Sequence, residues 1–404
     1  MKLPSSAALV SLIVTAAVVL TSCRRRAEPT PGESLREITS PAGPDSGQPN
    51  LATGPAGETY LSWIETTETG SPALRFAVRK EQQWSQVQTI VQGDELLVNW
   101  ADYPSLLPLE GGLLAAHWMT LVPDREGYNV NVAFSRDGGR TWSKPVVPHR
   151  DGTPTEHGFV SLAPAPGGGV GVIWLDSRKL SKAGGSAEVA MMYTNVSPDG
   201  KLGPEVPLDG RVCECCQPSA VRTANGILAV YRDRSENEIR DISIVRFDGK
   251  RWSEPKTVFE DRWEIYACPI NGPAIASHEN YVAVAWFTAP NDKPKVQLAF
   301  STDGGNTFGP PIQIDNGHPM GRVDVVALDS RGAVVTWLEL GDQEAEVRAR
   351  RVEQDGTRYP SLAVGITSSG TFPRTERNGE TALFAWTSTK NEYRVRVSVL
   401  DSKN

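Results

Sequence analysis

Long uninterrupted hydrophobic stretches are scarce in this 404-residue chain. Apart from one run near the N-terminus, most aliphatic segments are short. Glycine (37 residues), proline (30) and tryptophan (11) are frequent by comparison. Short apolar segments separated by many turn-forming residues favour an all-β protein with little helix.

The sequence also lacks a large excess of either charge. Lys and Arg total 41 and Asp and Glu total 48, which gives a net charge of −7. This balance indicates no polyanion-binding surface, so we expect no nucleic-acid partner. The chain contains no phosphate-binding loop, no HExxH zinc motif and no recognisable serine triad. These absences disfavour several common enzyme classes and leave the function to be inferred from the fold and its loops.

The N-terminal residues predict an exported protein. Lys2 precedes the apolar run Ala7–Leu20, which is short for a membrane span and has the layout of a signal peptide. The run ends in the letters LTSC, which resemble a bacterial lipobox. That resemblance implies removal of residues 1–22 and lipidation of Cys23, with the protein anchored by its lipid at the outer membrane or on the periplasmic face of the cell envelope. Residues 23–47, rich in Arg, Pro, Gly and Ser, predict a flexible tether.

Residues 48–404 read as one domain built from a repeat. A strand pattern that ends in an aromatic residue recurs every 49 to 57 residues, at Trp63, Trp118, Trp174, Tyr231, Trp286, Trp337 and Trp386. Each unit has room for four strands, A to D, which is the blade of a β-propeller. We predict seven four-stranded blades, with a six-bladed ring as the alternative. The seventh unit lacks its strand D, and Leu35–Ser40 could supply it and close the ring.

Two predicted hairpin turns share the sequence pattern S-x-D-G-G-x-T. They are FSRDGGRTW at Phe134–Trp142 and FSTDGGNTF at Phe300–Phe308. Asp137 can accept hydrogen bonds from amides of its own turn, and Gly138 and Gly139 tolerate positive φ. The pattern resembles the Asp-box, or BNR, repeat of the sialidase (neuraminidase) superfamily of β-propellers. The resemblance implies that these turns join strands C and D, on the face away from the ligand site.

Charged residues gather in the loops that would join strands B and C, at the mouth of the central channel. Guanidinium groups suit bidentate recognition of carboxylates, and carboxylates suit acid–base chemistry. The sialidase resemblance implies three arginines on a substrate carboxylate, an Asp acid/base and a Tyr nucleophile. The candidate catalytic residues are Asp176, Arg178, Tyr231, Arg232, Asp233, Arg234 and Arg322. Further candidates for the ligand pocket are Asp102, Tyr103, His157, Arg240, Glu264 and Arg374.

The predicted function is binding of an anionic glycan or small ligand at this mouth, with sialidase-type removal of a terminal sugar as the enzymatic form. The sequence departs from the sialidase pattern, however. The Arg-Ile-Pro motif is missing near the N-terminus, and no arginine lies in the first strand of units one and two. Two alternatives therefore stay open: ion pairs that join neighbouring blades, and a non-catalytic propeller that binds a ligand or partner. We expect a monomer.

Four cysteines besides Cys23 lie in two predicted loops, RVCECCQPS and YACPINGP, at Cys213, Cys215, Cys216 and Cys268. In an oxidising compartment they predict disulfides, either to Cys268 or between the adjacent Cys215 and Cys216. Free reactive thiols are a second possibility. A third is a redox or metal protein that holds copper or zinc, with His157 and His318 at matching loop positions as further ligands. We predict no cofactor, and copper or zinc is the alternative.

Overall fold

The structure, a computed structural model, describes residues 33–122, 127–181, 188–329, 331–379 and 381–402. Within these ranges the chain forms strands arranged in seven separate antiparallel sheets, and its three helices are single 3-10 turns. None of the described helices is long and apolar enough to cross a membrane. The predicted all-β propeller with seven blades is confirmed, and the six-bladed alternative is wrong.

The strands follow one another blade by blade along the chain. The first strand is β1 (Glu33–Ile38). Blade 1 contains β2 (Ser46–Thr53), β3 (Thr59–Thr66), β4 (Pro72–Lys80), β5 (Gln83–Trp84) and β6 (Gln88–Gln92). Blade 2 contains β7 (Ser105–Pro108), β8 (Leu114–Leu121) and β9 (Tyr128–Ser135). Blade 3 contains β10 (His157–Pro164), β11 (Val170–Asp176), β12 (Val189–Val196) and β13 (Val206–Val212).

The second half of the chain repeats this order. Blade 4 contains β14 (Ser219–Thr223), β15 (Gly226–Arg232), β16 (Ile242–Phe247) and β17 (Lys256–Phe259). Blade 5 contains β18 (Ala274–His278), β19 (Tyr281–Thr288), β20 (Lys295–Ser301) and β21 (Ile312–Gln313). Blade 6 contains β22 (Pro319–Ala327), β23 (Gly332–Leu340), β24 (Ala345–Glu353) and β25 (Leu362–Thr367). Blade 7 contains β26 (Arg374–Asn378), β27 (Thr381–Ser388) and β28 (Arg394–Ser402). The 3-10 turns are Glu110–Gly112, Arg178–Ser181 and Pro290–Asp292.

The seventh blade takes its outermost strand from the other end of the described chain. Strand β1 pairs antiparallel with β28, from Glu33 opposite Ser402 to Ile38 opposite Val397. This pairing covers the edge that β28 would otherwise expose. Residues 33–38 and the start of β2 fall inside the segment 23–47 that its composition assigned to a tether, so this part of the segment belongs to the fold. The predicted signal peptide and Cys23 lie outside the described residues.

The recurring aromatic residue that marks strand B fills the space between blades. Trp63, Trp174 and Trp337 are each fully buried. Their indole N–H groups donate to the carboxylate two residues further on, which for Trp174 is Asp176 at 2.8 Å. A buried indole N–H needs such an acceptor, since leaving it unpaired costs free energy. The carboxylate at the end of strand B is therefore a structural partner of the tryptophan.

The two Asp-box turns have the predicted internal hydrogen bonds. Asp137 Oδ1 accepts from the Thr141 N–H at 2.9 Å, and Asp137 Oδ2 accepts from the Thr141 hydroxyl at 2.7 Å. Bonds from Thr141 and Ser135 lower the pKa of Asp137 to about 2. Gly139 has φ +89°, and a Cβ there would lie 2.2 Å from the ring of Phe76 in blade 1. The turn thus packs against the preceding blade, away from the channel mouth.

Strand A of every blade lines the central channel in the same register. One residue of each strand pairs with the position just before the recurring aromatic: Asn50, Ser105, Ser161, Ser219, Ala274, Asp324 and Arg374. Several of these side chains accept a hydrogen bond from strand A of the next blade. Ser161 Oγ accepts from the Ala220 N–H at 3.0 Å, and Asp324 Oδ2 accepts from the Thr375 N–H at 2.8 Å. Polar side chains at this level join neighbouring blades around the channel.

Candidate functional site

The central channel contains a cavity of about 440 Å³ that is lined by strand A of all seven blades. The residue two positions before the polar level lies near the start of each strand A, on the face where the B–C loops lie. These seven equivalent positions, which we call the mouth ring, are Gln48, Tyr103, Phe159, Gln217, Gly272, Arg322 and Phe372. The ring is chemically uneven, because it carries three aromatic residues and a single cation. Four of these residues, Tyr103, Gln217, Gly272 and Phe372, line the cavity itself.

Arg322 and Arg374 lie among aromatic rings on one side of the mouth. The Arg322 guanidinium is 5.2 Å from the ring centroids of both Trp100 and Phe372. The Arg374 guanidinium is 5.1 Å from the Tyr103 ring, and Tyr103 in turn lies 5.3 Å from Phe372. We call these five residues the mouth cluster. Trp100 is 38% exposed, so the cluster presents an aromatic surface beside two positive charges, at distances typical of cation–π contact.

Arg322 is a cation without an acidic partner. Its guanidinium donates to the carbonyls of Pro269 and Ile270, and it forms no ion pair within the part of the chain that the structure describes. Burial lowers the pKa of Arg322 to about 10. Its backbone has φ +56° and is held by the Asn271 side chain, which accepts from the Arg322 N–H at 2.8 Å. The equivalent residues Gln48 and Phe159 share this positive φ, and strand A shifts register at each of the three positions, so a β-bulge of the fold sets the direction of the Arg322 side chain.

Arg374 lies deeper and is partly neutralised. Its Nη1 donates to the Tyr103 hydroxyl at 3.0 Å, and its Nε lies 3.6 Å from Asp324 Oδ2. Burial raises the pKa of Asp324 and of Tyr103. Glu376 follows Arg374 by two residues in β26. Burial raises the pKa of Glu376 to about 7. All four side chains line the cavity, which therefore contains a phenol, a guanidinium and two carboxyl groups that ionise less readily than usual.

Most of the charged candidate residues in blade 3 form ion pairs or hydrogen bonds with neighbouring charged side chains. Arg178 donates to both oxygens of Asp176, at 2.7 and 2.6 Å, and to Glu205 at 2.9 Å. His157 is fully buried, with Nε2 3.0 Å from Asp151 Oδ1, and its ring stacks on His149 at 3.7 Å. His149, Asp151 and His157 have the residue types of a metal site. The Arg178 guanidinium, however, lies 3.7 Å from Asp151 and already supplies the positive charge there.

A second ion-pair network occupies the B–C loop of blade 4. Arg234 donates from Nε to both oxygens of Glu238 at 3.0 Å, and Arg240 donates to Glu238 and Glu214 at 3.0 and 3.1 Å. Asp233 faces the buried side of this loop, and burial raises its pKa to about 6. Arg234 and Glu238 belong to the same loop, whereas the Arg240–Glu214 pair reaches the loop between blades 3 and 4. The second pair has the form of the alternative in which ion pairs join neighbouring blades.

Tyr231 and Arg232 lie in the interior, away from the mouth. Each is 1% exposed. The Tyr231 hydroxyl donates to Asp209 Oδ2 at 2.6 Å. Arg232 donates to three backbone carbonyls, those of Asn271, Arg240 and Phe287. Neither residue lines the channel cavity, so the structure gives no support to their predicted catalytic roles.

Asp102 and Glu264 both lie outside the cavity, Asp102 in the interior and Glu264 on the surface. Asp102 is fully buried, its Oδ1 accepts from the Phe159 N–H at 2.8 Å, and burial raises its pKa to about 7. Glu264 is exposed, as is Tyr266 close by. Asp102 thus braces the strained backbone of Phe159 (φ +51°), as Asn271 braces Arg322.

The cysteines combine one disulfide with two thiols. Cys215 is bonded to Cys268, which confirms that a disulfide joins the two predicted loops. Cys213 and Cys216 are buried free thiols, so the adjacent pair Cys215–Cys216 is not bonded. His318 is exposed and belongs to neither of the two groups of metal-ligating residue types found in the described chain. The cysteines and histidines predicted as possible ligands of one copper or zinc site therefore lie apart, with His157 in the other group and His318 in neither.

Tyr103 and Arg374 were predicted as pocket residues and Arg322 as a catalytic residue, but the carboxyl groups beside them were not predicted. Asp324 and Glu376 follow Arg322 and Arg374 by two residues, in RVD and RTE. Alternate residues of a strand point to the same face. Polar residues at alternate positions of strand A were thus the available signal for the channel lining.

The chain is similar to one protein family and to several solved structures. The profile of the family described as BNR repeat-like domain matches residues 57–369. A lectin from Burkholderia pseudomallei, BP39L, superimposes with a TM-score of 0.63 at 11% identity, covering 90% of this chain and 98% of the lectin. An α-L-arabinanase from Penicillium chrysogenum complexed with arabinobiose gives 0.52 at 13% identity, covering 91% and 98%. The α-L-arabinofuranosidase of Fusarium graminearum, also complexed with arabinobiose, gives 0.51 at 14% identity, covering 90% and 98%. No curated protein sequence matches significantly. At such identities the structural likeness shows the fold alone.

Proposed function

The chain belongs to the family of BNR repeat-like domains, and on that premise we propose that it binds a carboxylate-bearing glycan at the mouth of its central channel. Two solved propellers of this fold, a lectin and an arabinanase bound to arabinobiose, make a glycan the ligand class to test first. The observation that carries the proposal is Arg322, a half-buried guanidinium without an acidic partner beside an exposed aromatic ring.

The mouth cluster suits both parts of such a ligand. The apolar face of a sugar ring can pack on Trp100, whose indole is 38% exposed. A carboxylate on that sugar can then accept charge-assisted hydrogen bonds from Arg322, with Arg374 behind it in the channel. Burial disfavours the positive charge of Arg322, and a carboxylate bound beside it would stabilise that charge. Arg178 and Arg234 are already held by carboxylates, so they are not part of the proposed binding site.

Replacing Arg322 by methionine tests the proposal. We expect affinity for oligosaccharides containing uronic or sialic acid to fall about ten- to a hundredfold, because one charged hydrogen-bonding group contributes about 1.5–3 kcal/mol. Affinity for the matching neutral oligosaccharides should be unchanged. Isothermal titration with each pair of sugars measures this difference.

Arg331→Met is the matched control for this experiment. Arg331 belongs to the same blade but lies in the turn between β22 and β23, at the opposite end of strand A, and its side chain is 80% exposed. Both variants should keep the wild-type melting temperature within a few degrees. Equal loss of affinity in the two variants, or binding that does not depend on the carboxylate, would remove the role assigned to Arg322.

Hydrolysis of a terminal sugar is a second candidate function. It is favoured by the cavity that places the Tyr103 hydroxyl 3.0 Å from Arg374 and also contains Glu376, whose pKa is raised to about 7. A tyrosine nucleophile and a protonated carboxyl group are components of sialidase-type chemistry. Release of a fluorescent phenol from sialosides and uronides by wild-type protein, lost in Tyr103→Phe, would support it. Binding without turnover would leave a lectin-like protein.

We also propose that the protein is held at the cell envelope through a lipid on Cys23. The support is the LTSC sequence that ends the N-terminal apolar run. Cys23→Ser should move the protein from the membrane fraction to the soluble fraction or block its processing. Unchanged fractionation and size in that variant would mean that Cys23 carries no lipid.

A further inference from the structure

The four cysteines form a graded path from solvent to interior. Cys268 is exposed, and its disulfide partner Cys215 is 9% exposed. Cys213 lies behind this disulfide, with its Sγ 3.8 Å from Cys215 Sγ. Cys216 lies next, 3.1 Å from Cys213 Sγ, and both of these thiols are 1% exposed. The sulfur atoms thus follow one another from an exposed disulfide to a buried dithiol.

We propose that these four residues form a thiol–disulfide exchange site, in which the buried Cys213–Cys216 dithiol passes two electrons through Cys215 to exposed Cys268 and from there to an external disulfide. This activity is independent of the proposed glycan binding. The external partner is identified by its chemistry as a disulfide accessible to the loop around Cys268.

The internal half of the reaction balances without an outside reagent. The Cys213 thiolate attacks Cys215 Sγ, which forms the Cys213–Cys215 bond and releases Cys268 as a thiolate. The Cys216 thiolate then attacks Cys213 Sγ, which forms the Cys213–Cys216 disulfide and releases Cys215. The protons lost by Cys213 and Cys216 are taken up by Cys215 and Cys268. The disulfide has moved inward, and a dithiol is now near the surface.

The external half returns the outer disulfide. The Cys268 thiolate attacks a disulfide R–S–S–R, forms a mixed disulfide and releases the first R–S⁻. Cys215 then attacks Cys268, which restores the Cys215–Cys268 bond and releases the second R–S⁻. In sum the protein loses two thiols and gains one disulfide, while the external disulfide is reduced to two thiols.

The charges around Cys213 favour its role as the attacking group. Arg240 Nη1 donates to Cys213 Sγ at 3.3 Å, and the Arg232 guanidinium is also near. Burial alone would raise the pKa of Cys213, but the neighbouring Cys216 thiol and these guanidinium groups lower it to about 7. Burial raises the pKa of Cys216. Cys213, which accepts the hydrogen bond from Arg240, is therefore the thiol of the pair that ionises more readily. A thiolate beside a disulfide sulfur is the arrangement from which exchange proceeds.

The test uses the folded full chain carrying Cys23→Ser, so that the four cysteines are the only ones present. The probe is 5,5′-dithiobis(2-nitrobenzoate), an aromatic disulfide whose thiolate is coloured. The reaction as written releases two thiolates per protein and leaves no probe attached. Peptide mapping should then find both the Cys213–Cys216 and the Cys215–Cys268 disulfides. Failure of the folded protein to react, with both thiols appearing only after unfolding, would overturn the proposal.

Cys216→Ser separates the relay from a merely reactive thiol. Without the second attacking group, Cys213 can still displace Cys268, which then takes up the probe and releases a single thiolate. The adduct is therefore expected on Cys268, although that residue starts in a disulfide. An adduct on Cys213 instead would mean direct attack and would overturn the proposal. Cys216→Ala provides an apolar replacement if serine prevents folding.

Cys213→Ser is the matched control, because it removes the attacking thiol and keeps the outer disulfide. It should leave Cys268 unlabelled on the time scale of the wild-type reaction. Labelling of Cys268 in this variant would show that Cys213 is not the attacking group. Protein that is isolated with four free thiols and stoichiometric copper or zinc would contradict the exchange site and make the cysteines metal ligands.

Discussion

Replacing Arg232 by methionine should lower the melting temperature by about 5 °C, the largest effect we expect from a single substitution in this chain. The side chain is 1% exposed and donates to the carbonyls of Asn271 at 2.9 Å, Arg240 at 2.6 Å and Phe287 at 2.6 Å. These carbonyls belong to the loop before β18, the loop before β16 and the end of β19. One guanidinium therefore joins blades 4 and 5 beneath the channel mouth.

The magnitude follows from the carbonyls that are left behind. A buried acceptor that loses its donor costs about 1–3 kcal/mol, and methionine leaves three such acceptors in a space that water enters with difficulty. Removing the buried charge recovers part of the desolvation free energy, so we expect a net loss of about 3–5 kcal/mol. For a domain of this size that loss corresponds to the stated change in melting temperature.

Arg232→Lys and Arg251→Met complete the experiment. A lysine keeps the charge but lacks the planar guanidinium that reaches three carbonyls, so its melting temperature should fall between those of the wild type and the methionine variant. Arg251 is in the same blade with its side chain 88% exposed, and its replacement should change little. A stable Arg232→Met protein that has lost ligand binding would contradict the structural role and restore Arg232 as a functional candidate.

Removing β1 should have the second large effect. In a chain that begins at Pro41, β28 loses its partner over six residue pairs, and the seventh blade keeps three strands. Leu35 and Ile38, which pack on the cores between blades 6 and 7 and between blades 7 and 1, are lost with it. A side chain of this size contributes about 1.5–3 kcal/mol when fully buried. Leu35 and Ile38 are partly buried, so their loss costs about 2–3 kcal/mol in total, and the lost strand pairing adds to it.

The exposed edge of β28 also provides a distinct readout. An unpaired edge strand can pair with another chain, so the shortened protein should elute at larger size or aggregate. A synthetic peptide of residues 33–40 should bind the vacant edge and raise the melting temperature again. The control is a chain that begins at residue 31 and keeps β1. Equal melting temperature and elution volume for the two chains would mean that β1 does not close the ring.

The seven-bladed fold could be predicted because its signals are local and repeated. An aromatic residue at the end of strand B returns at a nearly constant interval, and Trp174 with Asp176 shows why: the tryptophan fills the space between blades and its N–H needs the nearby carboxylate. The Asp-box turns are equally self-contained, since Asp137 bonds to Ser135 and Thr141 of the same turn. Such patterns need no knowledge of the rest of the chain.

The candidate site was predicted only in part, because charge alone does not reveal where a side chain points. Arg178, Arg232 and Arg322 look alike in the sequence. Arg178 meets carboxylates and Arg232 meets carbonyls, while Arg322 meets two aromatic rings and no acid in the described chain. Phe372 and Asn271, which define the surroundings of Arg322, lie 50 or more residues away from it, so no local pattern could connect them.

The amino-acid sequence by itself determined the repeat, the position of the recurring aromatic residue and the turn chemistry, since these signals lie within one blade. Tertiary structure alone decided which arginine keeps an uncompensated charge and which cysteine pairs with Cys268. Both outcomes depend on side chains from different blades, and the closure of the ring sets their distances. A cation is neutralised, or a thiol is bonded, by whichever group lies within a few ångströms, and in a propeller that group often comes from a residue far away along the chain.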